Sequence, residues 1–455
     1  MNVQDPPASA VKRTGMFTLA DGRNVGFTFA LVSSLFLLWG FCNGMIDVMD
    51  KHFQNELHLT LAQSAWVQFA HYLGYFLMAL PAGWLATRLG YKGGIIAGLL
   101  MVAAGGFWFI PATKIAAFWA FLFGVCLIAA GLTFLETIAN PYTTVLGPKN
   151  LAAARINLAQ SCNGVGWIFG PIAGGLFFYG KDTAGRSTGS ETLWIPYAGV
   201  GVLVVVLAIV FFMAPVPDIK TEDAYHLDDS KGTSRSIWSH PHFWMAVLAQ
   251  FLYVAAQAGI FSFFINYMTS QVPAIPAGWG SGILRSLFEP GKDGLLHISD
   301  QGASTLASVG FICFLLGRIT GAAMLRSFSA HKVLGLYGVI NVLICFLVFL
   351  KLGWLSVACV FLSYFFMSVM FPTIFALGIF GLGARAKRAS AYIVMAIMGG
   401  AILPKLMGHV ADLYDISRGF IVPLFCFAFV AFYAFSWPRL SKAENLNSVS
   451  LTGGH

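Results

Sequence analysis

The sequence predicts an all-α membrane protein of twelve transmembrane helices, arranged as two pseudo-symmetric six-helix bundles. Three observations predict it. The 455 residues are 58% hydrophobic and only 10% charged, too little charge to cover the surface of a soluble domain. Apolar runs near twenty residues, long enough to cross hydrocarbon as helices, recur from Thr28 to Trp437 and do not alternate as barrel strands would. Two motifs then repeat in order on either side of one polar loop. "GWLATRLGYK" and "GAAMLRSFSAHK" each set a glycine five residues before an arginine (Gly83 and Arg88, Gly321 and Arg326), and Pro141–Gly147 and Pro372–Gly378 share a spacing of six.

In chain order, residues 1–24 form a polar N-tail with Lys12, Arg13 and Arg23. It has no apolar core, so it does not read as a cleavable signal peptide. The first bundle, 25–213, holds spans near 26–52, 62–87, 93–111, 116–146, 155–180 and 193–213. The stretch 214–237, with "KTEDAYHLDDSKGTSR", is a polar linker. The second bundle, 238–437, holds spans near 241–270, 301–325, 331–351, 354–383, 389–413 and 418–437, with a long loop at 271–300. A tail, 438–455, closes the chain.

Positive charge sets the orientation. Of the 27 Lys and Arg residues, 17 fall on the side of the N-tail and 8 on the other, and 2 (Arg318 and Lys405) lie within spans. This bias places both termini in the cytoplasm and the chain in the inner membrane. The net charge of +8 is therefore spread over short loops. No basic domain for nucleic acid is present. No Walker loop or HExxH motif appears, so ATP-driven transport and zinc hydrolysis have no support, and no cofactor is implied. The seven cysteines are scattered through apolar segments and read as core residues.

Polar side chains at membrane depth are costly and line cavities or proton paths. In "FCNGMIDVMDKHFQ", Asn43 and Asp47 share one helix face, whereas Asp50, Lys51 and His52 approach the span end, where interfacial water would solvate them. In "GLTFLETIANPYTTVLG", Glu136 lies mid-span with Asn140 one turn on. Burial disfavours the charged form, so this glutamate can bind and release protons. In "RINLAQSCNGVGW", Gln160 and Asn163 read as hydroxyl-binding amides with Trp167 beyond them, while Asn157 suits a ligand or an interhelical bond equally. Gln257 and Asn266 are candidate ligand groups of the second half. Matching the two prolines sets Glu136 against Met367 and Asn140 against Phe371, so proton chemistry belongs to the first half. His71 and His409 read as buried packing histidines, and Arg318 as a gating or ion-pair residue near the cytoplasmic loop. Lys405 has no assigned role.

The motifs "SLFLLWGFCNGMIDVMDKHFQ", "VQFAHYLGYFLMALPAGWLATRLGYKGGI", "LETIANPYTTVLGP", "INLAQSCNGVG", "GRITGAAMLRSFSAHKVL" and "FPTIFALGI" together resemble the fucose:proton symporter family of the major facilitator superfamily, from about Leu35 to about Phe435. The resemblance implies two six-helix bundles around a central sugar site, and symport with protons. It implies proton coupling at Asp47 and Glu136 and sugar contacts from Gln160 and Asn163; beside these, Asn43, Asn140 and, from the second half, Gln257, Asn266 and Phe371 are the further expected sugar-binding residues. Arg88, Arg318 and Arg326 belong to a gating or cytoplasmic motif. Gly44 stands where fucose members carry asparagine, and Phe371 where they carry tyrosine, so the chain looks closer to the glucose, galactose or mannose branch. The expected partners are a neutral hexose, protons and the lipid bilayer, with no nucleic acid, and a monomer. An uncoupled facilitator, a sodium-coupled symporter, a fucose symporter and a sugar receptor without flux are the alternatives. An intramembrane hydrolase using Asp47 and Glu136 would need a reactive bond between them, and the duplicated halves argue against it.

Overall fold

The structure is a computed structural model and describes residues 15–19, 21–148, 152–179, 192–217, 237–276, 278, 287–380, 382 and 386–441. Both tails beyond this, and most of the linker, lie outside the described residues. The first half contains α1 (Gly26–Leu57), a short α2 (Leu61–Ser64), α3 (Trp66–Ile115), α4 (Phe118–Val145), α5 (Ala152–Phe178) and α6 (Trp194–Met213).

The 50 residues of α3 are two crossings in one element. A straight helix of that length would reach about 75 Å, more than twice a hydrocarbon core of about 30 Å. The break is at Gly90, whose φ of 69° and ψ of −178° lie where a side chain would be strained. Before it, Thr60 and Gln63 form a capping box: the Thr60 hydroxyl accepts from the Gln63 amide at 3.2 Å, and the Gln63 side chain from the Thr60 amide at 3.0 Å.

The second half contains α7 (Pro241–Ser262), α8 (Phe264–Gln271), α9 (Asp300–Ser327), α10 (Ala330–Phe349), α11 (Trp354–Met367), α12 (Met370–Ile379), α13 (Ala386–Met395), α14 (Gly399–Leu413), α15 (Ile416–Gly419) and α16 (Ile421–Leu440). Several expected single spans are thus broken: α7 and α8 share one crossing, as do α11 and α12, α13 and α14, and α15 and α16. Among the described residues, ten helices are long and apolar enough to cross a membrane. The spans expected at 62–87 and 155–180 are also helical. They fall outside the ten, and they carry His71 and Gln68, and Gln160 and Asn163, which lower their hydropathy. All seven cysteines are free and lie in helices.

The loop expected at 271–300 is not wholly irregular. β1 (Ile275–Pro276), β2 (Phe288–Pro290) and β3 (Leu295–Ile298) form a small antiparallel sheet in the order β1-β3-β2. The turn between β2 and β3 is held by Asp293, which accepts from the Leu295 amide at 3.0 Å and from His297 Nε2 at 2.9 Å. The Leu295 amide above all keeps the Asp293 carboxyl below the usual carboxylate range.

Within the first half, α1 lies on α5, and α3 packs on α4 and α6. In the second half α16 packs on α10 and α7. The α1–α5 contact depends on missing side chains. A Cβ at Gly40 would sit 2.1 Å from the Asn163 carbonyl oxygen, and one at Gly166 would sit 2.2 Å from that of Leu37. Close backbone approach of this kind is how membrane helices gain van der Waals contact.

The two halves meet along α5 with α9, and along α2 and α3 with α14. Among the described residues, the hydrogen bonds between halves lie toward the end where α1 finishes. Asp412 accepts from the Leu61 and Ala62 amides at 2.8 and 2.9 Å. Gln54 and Asn266 exchange amide hydrogen bonds, and the Asn55 amide donates to Asp300. The Ser304 hydroxyl donates to the Pro171 carbonyl.

Candidate functional site

Helical periodicity brings polar groups from four elements of the first half together. On α1, Trp39, Asn43 and Asp47 recur every four residues, with Asp50 one turn further. On α3, Gln68, His71, Tyr72 and Tyr75 follow the same stripe. Trp39 Nε1 donates to the Tyr75 hydroxyl at 2.5 Å. Asn43 is buried beside Tyr75, and its carbonyl oxygen has no partner.

Glu136 on α4 is half-buried within electrostatic reach of Tyr75. It forms no hydrogen bond or ion pair with a described residue. One turn on, Asn140 Oδ1 accepts from Gln160 Nε2 of α5 at 3.0 Å. Glu136, Asn140 and Gln160 therefore form one group, with Trp39, Asn43 and Tyr75 opposite. Asn163 points elsewhere: its side chain is buried and Nδ2 donates to the Phe36 carbonyl at 3.2 Å, a contact between α5 and α1.

A second group lies further along α1. Gln68 Nε2 donates to Asp47 Oδ1 at 3.0 Å and to Asp50 Oδ2 at 3.3 Å. Asp50 was expected near interfacial water, yet it is fully buried, and His52 is buried as well. The reason is helix length. α1 continues to Leu57, so Asp50 lies nearly two turns inside its end and under α3.

In the second half, Gln250, Tyr253 and Gln257 share a face of α7. Gln257 is half-buried; Gln250 is fully buried with both amide atoms unpartnered. Tyr253 donates to the Met367 carbonyl at 2.9 Å and meets the Phe371 ring edge-on, with centroids 6.4 Å apart. Trp167 of α5 packs on Phe311 at 4.7 Å and Phe261 at 5.9 Å, joining the halves through aromatic contact. Asn266 is not with this group; it pairs with Gln54.

Of the arginines read as gating residues, Arg88 is exposed, whereas Arg318 lies within electrostatic reach of Tyr253. Arg88 lies over the Trp84 ring at 4.2 Å. Arg318 lies over Phe314 at 5.2 Å; its Nε is buried without a hydrogen-bond partner, and among the described residues it forms no ion pair. The side chains of Arg326 and Asn157 lie outside the described residues. Lys405, unassigned by sequence, lies over Trp66 of the other half at 4.0 Å. His71 is buried as expected, whereas His409 is exposed and so is not a buried packing residue.

Sequence reasoning missed Trp39, Gln68 and Tyr75. Their signal was available: Trp39 lies one turn before Asn43, and Gln68 and Tyr75 lie two turns apart on one face of α3.

Known proteins are similar to this chain over about nine-tenths of its length. The Major Facilitator Superfamily profile matches residues 28–291. The L-fucose-proton symporter of Escherichia coli (strain K12) is 33% identical over 427 residues, covering 89% of this chain and 92% of its own. The glucose/galactose transporter of Brucella abortus biovar 1 (strain 9-941) is 31% identical over 412 residues, covering 90% and 94%. Among solved structures, FucP, a Major Facilitator Superfamily transporter crystallised in the outward conformation, superposes with a TM-score of 0.63 at 34% identity, covering 91% of this chain and 99% of that one. The chain is thus a multi-pass membrane transporter and not an enzyme, and it belongs to the Major Facilitator Superfamily, within its fucose:proton symporter family.

Proposed function

We propose that the protein imports a neutral hexose (glucose, galactose or mannose) with protons across the cell inner membrane by alternating access. The bundles 25–213 and 238–437 move about the site on the linker 214–237, with both termini cytoplasmic. The observation that carries the reading is Glu136. A carboxyl group sits at membrane depth without a counter-cation among the described residues, next to the Asn140–Gln160 amide pair and the Trp39–Tyr75 pair. Such a group is stable there when it carries a proton, and proton loss can be tied to sugar release. The amides offer donors and acceptors to sugar hydroxyls, and the rings of Trp39 and Phe371 offer faces for the apolar side of a pyranose. The hydrogen bonds at the α1 end support a conformation closed toward the outside.

L-fucose is the second reading, favoured by the identity to a fucose symporter. Two features weigh against it. Phe371 has no hydroxyl, and Gly44 faces α5, where a Cβ would lie 2.9 Å from Pro171 Cδ. Proteoliposomes with an imposed proton gradient test the proposal. Accumulation of labelled glucose, galactose or mannose, competed poorly by fucose, is expected. Accumulation driven by sodium alone, or downhill flux only, overturns proton coupling; competition by fucose alone overturns the substrate. A cytoplasmic C-terminal reporter, with Lys292 labelled from outside, is the expected topology.

A further inference from the structure

Asp47 and Asp50 are one turn apart on α1, and a single amide nitrogen, that of Gln68, donates to both. The two carboxyl groups are therefore no farther apart than two hydrogen bonds. Asp50 is wholly buried and Asp47 nearly so, and Asp47 Oδ2 and Asp50 Oδ1 are both buried without a partner. From the second half, the Ser262 hydroxyl at the end of α7 approaches Asp50 without forming a bond of normal geometry. It is itself fully buried and unpartnered.

The other titratable groups facing the pair are phenols: Tyr72 of α3, Tyr179 beyond α5, Tyr197 of α6 and Tyr364 of α11. Tyr179 donates to the Val48 carbonyl at 2.9 Å, and Tyr364 has no partner. His52 and His71, the nearby histidines, meet aromatic neighbours in tilted and edge-on contacts. No Lys or Arg among the described residues pairs with either aspartate. Two ionised carboxylates this close, buried and without a cation, repel each other and lose their hydration. Gln68 stabilises one negative charge between them, not two.

We propose that Asp50 completes, with Asp47, a second proton-binding site of this transporter apart from Glu136: Asp47 and Asp50 hold one proton between them, Gln68 positions the pair, and Ser262 connects its protonation to the second half. The proposal rests on the proton-coupled reading for its role in transport, but not for the existence of the shared proton. When Asp50 holds the proton, its O–H can donate to the Ser262 oxygen. When the proton leaves, the direction reverses and the Ser262 O–H can donate to the carboxylate, so the proton sets the polarity of the contact between the halves.

Infrared difference titration of the purified full-length protein tests it, in a Glu136→Gln background so that, among the described residues, this pair alone is left to absorb as a buried protonated carboxyl. A protonated-carboxyl band present at neutral pH is expected. Asp50→Asn should move its disappearance to lower pH by about one unit or more, because Asp47 loses a like-charged neighbour. Gln68→Leu should move it the opposite way, because the ionised form loses its donor. A merely structural pair gives no such opposed shifts, so two unchanged titrations overturn the proposal. Absence of the band at neutral pH overturns it from this parent protein alone, even if both further variants misfold. Proton-driven accumulation by the wild type is measured in parallel. If accumulation is absent while the infrared signature holds, the coupling reading fails and the shared proton stands; the reverse result removes the pair and keeps the coupling.

Discussion

Glu136 has no described hydrogen-bonding partner, so what it does depends on whether it carries a proton. Glu136→Gln copies the protonated form, and sugar exchange should survive while uphill accumulation falls to the level of passive equilibration; counterflow measured beside gradient-driven uptake separates the two. Tyr75 accepts from Trp39 and faces both Asn43 and Glu136, so Tyr75→Phe leaves the indole N–H without its acceptor. A loss of about 1–3 kcal/mol is typical for such a buried donor, which should weaken sugar binding roughly tenfold in a binding titration. Glu136 and Asn140 were legible in the sequence because a carboxylate amid hydrocarbon has no inexpensive packing role. Tyr75 and Trp39 were not, since an aromatic ring in an apolar span looks like packing until its polar atom is seen bonded. Asp50 was misread because its depth depends on where α1 ends, and helix ends are the least certain part of any pattern.

At the scale of elements, α1 and α5 touch through Gly40, Gly44, Gly166 and Gly170. Gly40→Ala places a methyl against the Asn163 carbonyl, and overpacking of this kind typically costs about 1–3 kcal/mol. A lowered thermal midpoint in detergent is expected, with misplacement of Asn163 as a consequence. The twelve spans were largely legible from apolar runs. The breaks within α7–α8 and α11–α12, and the small sheet at 275–298, were not. Short strands of two to four residues leave too little alternation to read, and their order needs β1 and β3 to meet across the segment between them.

At the scale of the molecule, the halves are held together at one end by Asp412, by Gln54 with Asn266, and by Asn55 with Asp300. Asn55→Cys with Asp300→Cys should crosslink under oxidation and stop transport, and reductant should restore it. The seven native cysteines lie within helices and are not exposed, so background crosslinking should be low. Persistent transport after complete crosslinking would show that this end need not open. Duplication of the halves was visible in paired glycine–arginine and proline–glycine spacings. The contacts that join them were not, because each uses residues more than a hundred positions apart. Their chemistry sets one more property of the carrier. Each is a carboxylate or amide meeting a neutral donor, and no described Lys or Arg bridges the halves to an acid. Mobile ions weaken attraction between opposite charges far more than bonds of this type. The rate at which the halves part at this end should therefore stay nearly constant as the surrounding medium passes from dilute to saline.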